Sequence, residues 1–263
     1  MGTPKHQASI QKELNLVARQ EQALRKAAMR QKTPQWKTNL QDKVPEKVYL
    51  NLEKAFCKAF EAIFDKGTDW IEKTYDAQSI RNGYEVHDFA FQMQADRKVL
   101  KELRRQASRT QMQGMLTTSA EGIGLGVFGI GLPDIVLFVG VLLQGVYKIA
   151  LHYGFDYRTA SERDFILLLM ETSVQKGEAW ERRDRAVEAF IAGQTVDMAD
   201  QLTRTAQAFA DDLVLAKAVQ GLPLVGVLGG LFNPVCCRKV MKYAELKYRK
   251  RCLLRLYESS QGR

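Results

Sequence analysis

Two long apolar segments rich in glycine interrupt a chain that is otherwise charged and helix-forming. They run over residues 122–151 and 213–235 of the 263-residue chain. Each segment contains a Gly-Leu-Pro step, which begins at Gly131 in the first and at Gly221 in the second. Glycine lets two backbones approach closely, and proline ends or kinks a helix. The segments are therefore predicted to be broken helical hairpins that pack against each other, against lipid, or against both.

The small and helix-breaking residues of these segments are interpreted as packing positions. They are Gly122, Gly126, Gly131, Pro133, Gly221, Pro223, Gly226 and Asn233. The run 124–129 also has the G-x-G-x-x-G spacing of a dinucleotide-binding loop. That loop requires a strand before the glycines, whereas the residues that precede this run are polar and helix-forming. A nucleotide site is therefore not predicted here.

Neither apolar segment has the form of a simple membrane-spanning helix. A spanning helix needs about 20 consecutive apolar residues. The longest candidate, residues 135–151, contains Gln144 and Lys148, and the second segment is interrupted by Pro223 and Pro234. Two interpretations remain open at this stage. The segments form the buried core of a helical domain, or they are hairpins that enter one leaflet of a membrane.

Helical spacing of apolar residues is found along the chain, and no window alternates as a strand does. The predicted fold is all-α, a single multi-helix domain over residues 36–263 with the two hairpins packed centrally. A basic helix within residues 1–35 has thinly spaced apolar positions and is predicted to be a loosely attached extension. A loop is expected at Asn82 and Gly83, followed by a helix over about 87–113.

The carboxy-terminal residues 236–258 are predicted to form a strongly basic helix. On a helical wheel Tyr243 lies on its apolar side, whereas Arg238, Lys242 and Arg249 lie on the opposite, charged side.

Positive charge exceeds negative charge, with 39 lysines and arginines against 30 aspartates and glutamates. The formal net charge of +9 favours an anionic partner, such as acidic lipid or nucleic acid. The basic residues next to the apolar segments are predicted to contact a membrane surface, and they are Arg104, Arg105, Arg109, Arg238, Lys239 and Lys242. Each such residue adds roughly 1 kcal/mol of attraction to anionic lipid. Nucleic acid is not expected, because aromatic residues are not interleaved with the arginines.

A polar pocket between the hairpins is the strongest candidate for chemistry. It would bring together Glu121, Asp134, His152 and Asp156 around a cation or a proton. Asp134 directly follows Pro133, however, and an aspartate in that position commonly caps a helix. The four cysteines lack the spacing of a zinc site, and three histidines leave little for a metal or nucleophile site. No catalytic residue, metal or cofactor is predicted.

A series of short sequences resembles the EcsC protein family in order and spacing. They are Pro45-Glu46-Lys47-Val48, Gly131-Leu132-Pro133-Asp134-Ile135, Ile149-Ala150, Tyr153-Gly154-Phe155-Asp156, Glu162-Arg163, Leu222-Pro223-Leu224-Val225-Gly226, Asn233 and Arg255-Leu256-Tyr257. The resemblance covers the chain from about residue 36 onward and leaves the N-terminal extension outside. The founding member of the family is encoded beside an ABC transporter in a bacterial secretion-related operon. The resemblance implies an accessory protein with no established activity, catalytic residue, cofactor or small-molecule ligand.

Together, these patterns predict a non-enzymatic accessory protein at the cytoplasmic face of the inner membrane. It would act through its basic helices and glycine-rich hairpins, with anionic lipid or a membrane protein such as an ABC transporter as partner. A cytoplasmic location is expected because the first residues lack the apolar core of a secretory signal, and because the cysteine spacing suggests no disulfide. The alternative is a soluble enzyme or small-molecule binder with a pocket between the hairpins.

Overall fold

The structure, a computed structural model, describes residues 4–30, 46–117, 133–219 and 234–261. Within these ranges it describes all side chains except those of residues 109–117, 133–134 and 217–219. All regular structure within these ranges is helical, which confirms the predicted all-α fold. In chain order the elements are α1 (Pro4–Arg30), α2 (Glu46–Ala62), a π-helical turn (Ile63–Gly67), α3 (Thr68–Glu72), α4 (Ala77–Gln94), α5 (Arg97–Thr117), α6 (Pro133–His152), α7 (Ala160–Val174), α8 (Gly177–Ile191), α9 (Gln201–Val219) and α10 (Pro234–Gln261).

Helix α6 is the centre of the fold and contains the more apolar half of the first glycine-rich segment. It packs against α2, α4, α5 and α10. Within the described ranges it is the one helix long and apolar enough to cross a membrane, judged by length and composition. Of its window Ile135–His152, 83% is buried inside the protein. In this structure α6 is therefore a core helix, as in the first of the two interpretations.

Close packing by glycine does occur at α6, at a position outside the predicted set. A Cβ atom on Gly145 would lie 2.3 Å from the terminal carbon of Met241 in α10. The missing side chain makes room for Met241 and brings the two central helices together.

Most of the predicted packing positions of the hairpins lie outside the described residues. This applies to Gly122, Gly126, Gly131, Gly221, Pro223, Gly226 and Asn233, whose predicted packing stays a prediction. Pro133 is the first residue of α6. The end of the second apolar segment, Pro234 and Val235, forms the beginning of α10.

The loop predicted at Asn82 and Gly83 is wrong, because both residues lie inside α4. A glycine in a helix costs about 1 kcal/mol, and tertiary packing commonly outweighs that cost. Here the helix buries Phe91. The chain turns later, at Ala95, which ends α4 in the left-handed conformation with φ of 52°. The single helix predicted over about 87–113 is therefore the end of α4 followed by α5.

Helix α1 is firmly packed, so the predicted loose attachment is wrong. Ile10 and Val17 are fully buried in a cluster with residues of α4, α5 and α10. The carboxylate of Glu13 is also buried and accepts hydrogen bonds from Arg97 at 2.7 Å and Arg104 at 3.2 Å, both on α5. A few well-placed residues attach the helix, although its apolar stripe is thin. The division of the chain at residue 35 stays a prediction.

Candidate functional site

A groove of about 240 Å³ opens between the second half of α1, the junction of α7 and α8, and the first turns of α10. Its apolar wall includes Leu24, Ala27 and Ala28 of α1 and Trp180 of α8, while Val235 lies on α10 beside the basic residues. Its opposite wall is basic and consists of Arg238, Lys239 and Lys242. The groove thus joins an apolar surface to a cluster of positive charge.

Helical spacing on α10 produces the basic wall. Arg238 and Lys242 are one turn apart, as are Val235 and Lys239, so the four side chains project from neighbouring rows of the helix. Arg238 and Lys242 are exposed and form no ion pair within the described part of the chain. The ammonium of Lys239 lies 3.6 Å from the carboxylate of Asp212 on α9. The wall therefore has a net positive charge.

The apolar wall also contains one side chain that can donate a hydrogen bond, Trp180. Trp180 packs edge-on against Tyr243, with ring centroids 6.2 Å apart. The indole N–H of Trp180 donates to no acceptor among the residues that the structure describes.

A network of charges around the buried Lys247 connects the helices that form the groove. The side chain of Lys247 on α10 is only 1% exposed. Its ammonium lies 2.9 Å from the carboxylate of Glu21 on α1. It also contacts two carboxylates of α8, that of Asp184 at 2.8 Å and that of Glu188 at 2.5 Å. Lys250 pairs with Glu21 at 3.0 Å and with Glu188 at 2.6 Å. These contacts hold α1, α8 and α10 in fixed relative positions.

The same network shifts the pKa values of Lys247 and Glu188. Burial by itself would lower the pKa of Lys247, but the attraction of Asp184, Glu188 and Glu21 outweighs burial and raises that pKa above its ordinary value. Burial would raise the pKa of Glu188, but Lys247 and Lys250 lower it below its ordinary value. Lys247 and Glu188 therefore both keep their charges at neutral pH, and their contacts serve packing rather than proton transfer.

The predicted surface cations divide into two groups. Arg238, Lys239 and Lys242 meet at the groove, whereas Arg104 is used in the ion pair with Glu13 that attaches α1. Arg105 is exposed and pairs with Glu102 at 2.9 Å on its own helix. The side chain of Arg109 lies outside the described residues.

The structure does not bring the predicted polar pocket together. Asp134 and His152 lie near opposite ends of α6, which places their Cα atoms about 27 Å apart at 1.5 Å per residue. His152 is buried, and burial, followed by the charges of His87 and Lys148, lowers its pKa to about 4. Asp156 is exposed, and its carboxylate lies 4.0 Å from Arg81. Glu121 lies outside the described residues, as does the side chain of Asp134.

A second exposed apolar surface lies on α4. Val86, Phe89 and Met93 follow the helical spacing i, i+3, i+7, and all three are more than half exposed. Their charged neighbours on this helix, Glu85 and Asp88, are acidic. This stripe therefore does not share the charge of the groove.

Comparison with known proteins identifies the family. A family model described as the EcsC protein family matches residues 8–253. The chain belongs to the EcsC protein family. Protein EcsC of Bacillus subtilis (strain 168) is 23% identical over 199 residues, which cover 74% of this chain and 75% of that protein. No solved structure matches the chain.

The EcsC match includes both walls of the groove. The match starts at residue 8, inside α1, whereas the predicted resemblance began at about residue 36. The family region therefore includes most of α1. The groove residues Leu24 and Ala28 therefore lie within the region that matches the family model. Within the described ranges, no group of three or more His, Cys, Asp or Glu residues is placed to hold a metal ion.

The sequence pointed to the three cations of the basic wall, as residues predicted to contact a membrane surface. It did not point to the apolar wall. Leu24 and Ala28 show helical spacing, yet nothing in the sequence indicates that they face Trp180, which is more than 150 positions away. The only available signal was the apolar spacing of α1 itself, because a helix that buries one face must have a partner.

Proposed function

We propose that this EcsC family protein is a non-enzymatic accessory protein that binds anionic lipid at the cytoplasmic face of a membrane. The supporting observation is the first part of α10, where Arg238, Lys239 and Lys242 stand beside an apolar groove. Val235 adds an apolar side chain that is 59% exposed on the same face. A surface that combines basic and apolar residues is suited to the boundary between lipid headgroups and acyl chains.

The expected attraction is moderate and reversible. Three basic residues at roughly 1 kcal/mol each supply roughly 3 kcal/mol, which is about a 150-fold increase in affinity for an anionic over a neutral surface. Stable attachment to a membrane usually needs a second contribution. The second apolar segment leads in sequence directly into Pro234, so any lipid contact that it makes would adjoin the basic wall.

The alternative of an enzyme with a pocket between the hairpins has no comparable support. Its residues Asp134 and His152 are held apart by the length of α6, and Asp156 lies on the surface. The buried charges near the groove are all paired across helices and serve packing.

Vesicle flotation tests the proposal. We expect the protein to float with vesicles that contain phosphatidylglycerol and to remain unbound with pure phosphatidylcholine. The double substitution Arg238→Glu with Lys242→Glu should weaken binding to the anionic vesicles at least about 30-fold, since it removes two attractive charges and adds two repulsive ones.

A matched control is available on α2. Lys54 and Lys58 are also exposed and one helical turn apart, so Lys54→Glu with Lys58→Glu produces the same change in net charge. This control should retain most of the binding. Equal losses in the two variants would mean that net charge alone governs binding, and unchanged binding in the α10 variant would overturn the proposed site.

A further inference from the structure

We propose that the groove between α1, α8 and α10 binds one molecule of a single-chain anionic amphiphile. The headgroup would lie against Arg238, Lys239 and Lys242, and the chain would lie on Leu24, Ala28 and Trp180. This inference rests on the proposed function, because it names the ligand of the same site. It claims more, however, since it predicts stoichiometric binding of a molecule dissolved in water, without any membrane.

The basic end of the groove has several independent donors for one anion. Arg238 and Lys242 are exposed, and neither is neutralised by a carboxylate in the described ranges. The 3.6 Å separation of Lys239 from Asp212 exceeds ordinary hydrogen-bond length, so Lys239 can turn toward a ligand. The indole N–H of Trp180, which donates to no acceptor among the described residues, adds a neutral donor. A phosphate or sulfate with three acceptor oxygens fits this arrangement.

The other end of the groove has the surface that a hydrocarbon chain requires. Leu24, Ala27 and Ala28 follow the spacing i, i+3, i+4 and form one apolar patch of α1. Two alanines at these positions leave space where larger side chains would close the groove. Trp180, which is mostly buried, supplies part of a large aromatic ring to the lining of the groove.

The size of the groove selects the kind of amphiphile. Its volume of about 240 Å³ is somewhat smaller than the roughly 300–1,000 Å³ of typical small-molecule pockets. That space accommodates a headgroup with the first part of one chain, but not both chains of a diacyl lipid. The ligand is therefore expected to be a single-chain amphiphile, with the far end of a long chain emerging from the groove.

The groove is held open before any ligand arrives. Glu21 on α1 is only three residues before Leu24, and it bonds to both Lys247 and Lys250 of α10. Asp184 on α8 is one turn after Trp180 and bonds to Lys247 and to the hydroxyl of Tyr243. A site whose walls are already fixed loses little conformational entropy on binding.

Titration calorimetry with the full-length protein tests the inference with butyl, hexyl and octyl phosphate, each below its micelle-forming concentration. We expect one binding site per chain and an affinity that rises by about fourfold per buried methylene until the groove is full. Inorganic phosphate, which has the headgroup only, and octyl glucoside, which has the chain only, should each bind at least tenfold more weakly than octyl phosphate. Equal affinity for octyl phosphate and either of these two compounds would overturn the proposal.

Groove-filling variants separate this inference from the proposed function. Ala28→Trp, and Ala27→Trp at the more exposed neighbouring position, fill the apolar end and leave every cation in place. Each variant with a wild-type circular dichroism spectrum should lose at least tenfold in affinity for octyl phosphate yet still float with anionic vesicles. Unchanged octyl phosphate binding in these variants would refute the groove site. If Arg238→Glu with Lys242→Glu abolishes octyl phosphate binding but not flotation, the groove site stands and the membrane proposal fails.

Discussion

At the scale of single residues, many of the cations that make the chain basic are used inside the fold. Lys247 lies among three carboxylates. Arg251 bonds to Glu162 at 2.6 Å, and its guanidinium stacks 4.2 Å from the ring centroids of Phe155 and Phe165. Because arginine can stack on aromatic rings while it keeps an ion pair, it can be buried without losing its charge.

Arg249, which the helical wheel places on the charged side of the last helix, is also used inside the fold. Its side chain is buried, and its guanidinium lies 3.7 Å from the carboxylate of Glu245. The middle of α10 is buried on nearly all sides, since α1, α5, α6 and α7 surround it. A helical wheel can identify polar residues, but it cannot identify which of them will find partners.

His152 supports a prediction about pH. Its pKa is lowered from 6.5 to about 4, chiefly because burial disfavours the charged ring. The unfolded chain therefore takes up this proton first, and the free energy of unfolding should fall as the pH drops from about 6.5 towards 4. The full contribution is about 3 kcal/mol, and no change is expected from this residue above pH 7 or so.

Urea unfolding across this pH range measures the effect. The variant His152→Gln lacks the titrating ring, so its free energy of unfolding should decline less steeply than that of the natural protein between about pH 6.5 and pH 4. Carboxylates titrate in both proteins, and the comparison removes their contribution. Parallel curves for the two proteins would show that His152 does not have the lowered pKa.

At the scale of elements, helix ends were predictable where the sequence contains strong local preferences. Gly177 and Gly193 bracket α8, and both adopt the positive φ angles that glycine favours. The turn at Ala95 was not predictable, because alanine has no preference for the left-handed conformation that it adopts there. Asn82 and Gly83 gave a false loop, because tertiary contacts of α4 outweigh a weak local preference.

Helix α1 supports a prediction about stability. Ile10 is completely buried against the cluster that includes Phe91 and Leu253, so Ile10→Ala should lower the free energy of unfolding by about 2–4 kcal/mol. Met29 lies near the other end of the same helix and is 40% exposed. Met29→Ala should therefore change stability by no more than about 0.5 kcal/mol.

Chemical denaturation of the two variants tests whether α1 is integral to the fold. A loss of under about 0.5 kcal/mol for Ile10→Ala would mean that α1 is loosely attached, as its thin apolar spacing suggested. Hydrogen exchange gives an independent measure, because the amides of α1 should then exchange much faster than those of α6.

At the scale of the whole molecule, the sequence predicted the class of fold and half of the candidate site. Helical periodicity was sufficient for the all-α fold, and the position of basic residues beside the second apolar segment identified Arg238, Lys239 and Lys242. The apolar wall was not predictable, because Leu24 and Trp180 meet through packing between helices that are distant in sequence. The geometry predicted for the polar pocket is wrong. Asp134 and His152 lie near opposite ends of α6, and the length of that helix keeps them apart.

The contrast between buried and exposed charges supports a last prediction, about salt. The Debye length falls from about 10 Å at about 0.1 M salt to about 3 Å at about 1 M, and this screening weakens interactions of exposed charges far more than those of buried pairs. Binding to anionic vesicles through Arg238 and Lys242 should therefore fall at least tenfold over this range. The free energy of unfolding should change by less than about 1 kcal/mol, since Lys247 and Glu13, one member of each ion pair, are buried although their partners are partly exposed. Flotation and urea unfolding at the two salt concentrations measure both quantities, with neutral vesicles as the control. Vesicle binding that persists at about 1 M salt would mean that apolar insertion, rather than the basic wall of the groove, holds the protein at the membrane.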